Sequence, residues 1–126
     1  MINGSGHDAG VDWWALGILI YEMIIGIPPF YNSNKHKMYY FIQNAPIRWP
    51  TVDRHGIEAS PLAQDLITKM LEKNKLHRLG CEDDARDILS HPWFGELDLE
   101  ALLRKEFPAP FVPETQSLSD LSNFDQ

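Results

Sequence analysis

The sequence predicts an all-α fold that runs into an extended tail, and three observations predict it. The run from Trp13 to Ile25 is apolar on every side and is interrupted only by Glu22. A second stretch sets Leu62, Leu66, Ile67, Met70 and Leu71 on one helical face, against Gln64, Asp65, Lys69 and Glu72 on the other. No segment shows the period-two alternation of a half-buried strand. The chain has 126 residues, 44% hydrophobic and 23% charged. That is globular rather than disordered composition, at the length of one domain or part of one.

Residues 1–10 are small and polar and read as loop. Asp12 stands where an N-cap is expected before the apolar run. Gly26 and the Pro28-Pro29 pair stop that helix. About 14 helical residues remain, roughly 21 Å at the usual rise, against a hydrocarbon core of ~30 Å. Glu22 near the inner end further disfavours a membrane span. The expectation is a helix covered by protein on all sides. If part of that cover is missing, the isolated chain exposes a large apolar patch and is only marginally stable.

From Asn34 to Gln43, Met38, Phe41 and Ile42 recur at helical spacing with Tyr39 and Tyr40 beside them, which predicts a short amphipathic helix. Residues 44–59 contain Pro46, Pro50 and Gly56 and read as irregular. Ser60-Pro61 is a cap residue followed by proline at the first helical position, a start signal for the second strong helix. Gly80 stops the element that follows it. Shorter helices are expected over 84–90 and 98–105, and Pro108, Pro110 and Pro113 mark the extended tail.

The net charge is −7, which argues against nucleic acid as the main partner. Residues 1–81 hold eight Lys/Arg and seven Asp/Glu, whereas residues 82–126 hold three and eleven, so the acidic excess lies in the last third. Such a charge run reads as a solvated, weakly structured tail, or alternatively as an extended segment docked on something larger. Cys81 is the sole cysteine, which rules out an intrachain disulfide and suits a reducing compartment. No signal-peptide pattern opens the chain. His7, His36, His55, His77 and His91 lack metal-ligand spacing, so no metal site is expected.

Five stretches, in this order, resemble the second half of the large lobe of a eukaryotic protein kinase and the tail that follows it. VDWWALGILIYEMIIGIPPF (11–30) resembles the F helix, and KMYYFIQNAPIRWP (37–50) the G helix and its exit loop. SPLAQDLITKMLEKNKLHRLG (60–80) resembles the H helix and the arginine loop, and ARDILSHPWF (85–94) the last helix of the lobe. PAPFVPETQSLSDLSNFDQ (108–126) resembles the start of the C-terminal tail of the AGC group, most similar to the protein kinase B, SGK and ribosomal S-six kinase branch. The resemblance implies a partial kinase domain over 1–94 and a truncated AGC tail over 95–126.

It also implies roles. Asp12 matches the F-helix aspartate that holds the catalytic loop, and Trp14, Gly17 and Arg78 match further anchors of the lobe. Arg78 would be a buried charge without its partner, since the A-P-E glutamate is not in this sequence. Glu22 matches the acid that pairs with an arginine upstream of the phosphorylated residue. A bidentate guanidinium–carboxylate contact suits that task. Phe124 matches the tail phenylalanine at the edge of the adenine pocket, although an exposed terminal aromatic is the plainer expectation. Met38, Tyr39 and Phe41 match a partner-docking face. Cys81 reads as structural.

The family transfers the γ-phosphate of ATP, with Mg2+, to Ser/Thr in basic protein substrates of cytoplasmic or nuclear location. The motifs for that chemistry are a Gly-rich loop, a strand lysine, H-R-D and D-F-G. None of them occurs in these 126 residues. No catalytic residue and no bound cofactor is therefore expected of this stretch alone. The alternative is a non-catalytic module that binds a regulatory partner through the G-helix face.

Overall fold

The computed structural model describes residues 8–124, so His7 lies outside the described residues. All regular structure among them is helical: α1 (Ala9–Ile25), α2 (Lys35–Asn44), α3 (Val52–His55), α4 (Pro61–Met70), α5 (Ala85–Leu89) and α6 (Leu99–Leu103), with one 3-10 turn at Pro92–Phe94. Two compact units divide between Glu96 and Leu97.

In the first unit, α1 starts earlier than its sequence suggests. Asp8, not Asp12, is the cap: its Oδ1 accepts the Gly10 N–H at 2.9 Å. Asp12 lies exposed in the first turn, where a carboxylate still complements the positive end of the helix. The cap moved because Ala9–Val11 are helix-compatible and Asp8 offers the same side-chain oxygen one turn upstream. The helix ends at Gly26, whose N–H reaches the Glu22 carbonyl at 2.7 Å.

Asn34 and Ser60 cap α2 and α4 through side-chain oxygens that accept the Lys37 and Ala63 N–H groups. The irregular stretch contains one element not foreseen, the single turn α3. His55 closes it by accepting the Thr51 N–H on Nδ1.

The core lies between α1 and α4. Ile20, Tyr21, Phe30, Leu66, Ile67, Met70, Leu71 and Ile88 form one buried cluster. Gly17 lets the two helices approach closely: a Cβ there would stand 2.9 Å from both Met70 Cβ and Leu71 Cδ2. Leu62, expected on the inner face of α4, is about half exposed, and Ala63 is buried in the first turn instead.

In the second unit, Asp98 caps α6 by accepting the Ala101 N–H, and Arg104 pairs with Glu100 and Glu106. Beyond it the described residues hold no helix. Asp120 gathers the Gln116 and Ser122 N–H groups, which holds its carboxyl below the usual carboxylate range.

Candidate functional site

Helix α1 carries the residues of greatest functional interest. Its inner side holds Gly10, Gly17, Ile20 and Tyr21. The Tyr21 hydroxyl donates to the Arg48 carbonyl at 2.6 Å, and its ring lies 5.2 Å from that of Trp49. Burial pushes the phenol up from its ordinary value.

The opposite side is a stripe at helical spacing: Asp12, Ala15, Leu19, Glu22 and Met23, all exposed. Leu19 is 50% and Met23 68% exposed. Two carboxylates thus bracket an uncovered apolar patch, about 15 Å apart along the axis at the usual helical rise. Among the described residues neither acid has an ion pair or a side-chain hydrogen bond.

Trp14 and Arg78 are brought together. Trp14 stacks on Phe30 with ring centroids 6.0 Å apart, and the Arg78 guanidinium lies 5.0 Å from the Trp14 ring. Arg78 is buried as expected, but it is not without partners. Its Nε donates to the Glu72 carbonyl and its Nη1 to the Gly10 carbonyl, both at 2.9 Å. Among the described residues no carboxylate forms an ion pair with it, and backbone oxygens satisfy the guanidinium instead. Burial pushes Arg78 down from its ordinary value, against the pull of Asp8 and Glu72.

Met38, Tyr39 and Phe41 do not share one free face. Phe41 packs against the core, Met38 is half-buried, and Tyr39 with Tyr40 points outward. Phe124 is exposed, and its N–H reaches the Leu121 carbonyl. Cys81 is exposed and its thiol donates to the Leu76 carbonyl at 3.1 Å.

Two interactions escaped sequence reasoning. The Trp13 indole N–H donates to Asp84 Oδ1 at 2.8 Å, across 71 residues, with no local signal. Gly80 makes room for that indole: its φ is +95°, and a Cβ there would come within 2.5 Å of the Trp13 ring. His91 is buried against Asp65. Its position just before Pro92 was a cap signal of the same kind as Ser60-Pro61.

No group of three His, Cys, Asp or Glu among the described residues could hold a metal. One pocket among the described residues, lined by Pro29, Phe30, Tyr31, Phe41, Ala45, Pro46 and Arg48, measures about 70 Å³. Among the described residues, no helix is long and apolar enough to cross a membrane.

Residues 1–94 match the protein kinase domain family. The chain is 43% identical over 117 residues to the serine/threonine-protein kinase sgk-1 of Caenorhabditis elegans, covering 93% of this chain and 24% of that protein. It is 38% identical to the serine/threonine protein kinase ypkA of Aspergillus fumigatus, over 99% of this chain and 19% of that one. Protein kinase 2 of Dictyostelium discoideum is 41% identical over 99% of this chain and 25% of its own length. The chain spans about a fifth to a quarter of these relatives. An all-helical arrangement around α1, the family match over 1–94 and these relatives agree: the chain belongs to the protein kinase family and is similar to its AGC-type serine/threonine members.

Proposed function

We propose that this chain is the substrate-side part of an ATP-dependent AGC serine/threonine kinase. The whole protein transfers the γ-phosphate of ATP to Ser/Thr in basic peptide contexts in the cytoplasm. The observation that carries the substrate assignment is Glu22, an exposed carboxylate without a cationic partner among the described residues, on a helix whose other side is buried. It recognises a substrate arginine. Asp12, on the same open stripe, anchors the catalytic loop, and Phe124 reaches the adenine edge in the complete kinase. The exposed Tyr39 side of α2 is where a protein partner docks. The 126 residues alone hold none of the phosphate-handling motifs and transfer nothing.

The test is a paired peptide series, with and without the upstream arginine, on a full-length kinase that carries this sequence and on its Glu22→Gln variant. A charge-assisted hydrogen bond is worth about 1.5–3 kcal/mol. kcat/KM for the arginine peptide should therefore fall roughly ten- to a hundred-fold, with peptides lacking arginine almost unaffected. Equal losses on both would make Glu22 a structural acid.

A further inference from the structure

Lys73 lies just beyond α4, and its ammonium makes three contacts outside its own segment. Nζ donates to the Ile42 carbonyl at 2.8 Å. It stands 4.4 Å from the Phe30 ring centroid and 5.7 Å from that of Trp14, the two rings that stack on each other. Ile42 belongs to the last turn of α2, where carbonyls have no partner within the helix and the helix dipole is negative. The Phe41 carbonyl is taken by the Ala45 N–H; that of Ile42 is taken by a cation from another element.

Helix α2 needs such a tie. It buries no residue completely, carries no basic residue in its own last turn, and packs on the core cluster through Phe41 and Ile42. Its own sequence supplies no C-terminal charge. A long flexible amine reaching from the α4 side supplies it, and the aromatic pair fixes where that amine sits. Partial burial lowers the Lys73 ammonium from its ordinary value, as expected for a cation held against rings.

We propose that Lys73 is the positioning residue of α2: by capping Ile42 from a cradle made by Phe30 and Trp14, it sets the angle at which α2 stands on the core. The orientation of the outward Tyr39 and Tyr40 then depends on a charge about thirty residues away in sequence. The consequence for partner docking rests on the docking role proposed above; the positioning itself does not.

The test is amide hydrogen exchange on the 126-residue chain, with no partner present, so that its outcome is separate from that of the docking reading. Lys73→Met keeps the stem and removes the charge, and Lys73→Arg keeps the charge. Loss of a helix-terminal cation and its ring contacts should speed exchange in the last turn of α2 by roughly three- to thirty-fold. Leu66 and Ile67 of α4 should stay as in the wild type, and Lys73→Arg should restore protection. In the unsubstituted chain, ring currents should shift the Lys73 ε-methylene protons upfield. The proposal is overturned if Lys73→Met leaves α2 exchange unchanged, if α2 and α4 accelerate together, if arginine fails to restore protection, or if the ε-methylene protons sit at their random-coil position.

Discussion

The imidazole of His91 lies with Nε2 2.7 Å from Asp65 Oδ2, while its Nδ1 accepts the Trp93 N–H at 3.0 Å. The second bond requires a lone pair on Nδ1, so the ring proton sits on Nε2 and is donated to Asp65. A single buried ring thus caps the Pro92–Phe94 turn and ties it to α4. His91→Ala removes both bonds. His91→Asn keeps an oxygen for the cap and loses the reach to Asp65. Alanine should cost about 2–3 kcal/mol in urea unfolding and asparagine about half that. Equal costs would mean that the cap contributes nothing.

The same pair predicts an acid limb. Lys69 foremost, and His91 after it, hold the Asp65 carboxyl below the usual carboxylate range. A depressed folded-state value stabilises the fold in full above the unfolded value, about 3.9, and the gain is lost as pH falls through the folded value. The stability that the Asp65 carboxylate contributes, read as the difference between wild type and Asp65→Asn, should therefore shrink as pH falls below about 4. A difference that grows on acidification would contradict the assignment.

Arg78 holds the start of α1 to the end of α4 through two carbonyls and one indole. Arg78→Ala leaves the Glu72 and Gly10 carbonyls without that donor and should cost about 2–4 kcal/mol in chemical denaturation. Arg78→Lys cannot span both oxygens with a planar fork and should recover less than half. Full recovery by lysine would show that charge alone matters at this position.

The stripe formed by Ala15, Leu19 and Met23 leaves apolar surface facing outward on a helix that is otherwise built for burial. The 126-residue chain should self-associate in a concentration-dependent way in sedimentation experiments. Leu19→Gln with Met23→Gln should suppress that without loss of helix content. A wild-type chain that stays monomeric at high concentration with a sharp cooperative melt would contradict this.

Much of the helical order was written locally. The Ser60-Pro61 start, the Gly26 stop and the apolar positions Leu66, Ile67, Met70 and Leu71 of α4 depend on neighbours within a turn or two, and they stand where the residues place them. Glu22 was conspicuous as a lone acid in an apolar run, because burying it unpaired would be costly, and it is exposed. Local signals were weaker where two candidates competed. Asp8 and Asp12 are both able to cap, and only the folded helix start shows which does.

Tertiary structure decided everything that joins distant residues. Trp13 meets Asp84, Lys73 meets Ile42, and Arg78 meets Gly10 across separations of 71, 31 and 68 residues. Periodicity marks which side of a helix is apolar, but it does not say which carbonyl a long cationic side chain will reach. Nor does it say how much of an all-apolar helix will be covered. The family resemblance came from five stretches in order between residues 11 and 126. The open stripe on α1 came from packing, because α4 covers one side of that helix and the described residues leave the other exposed.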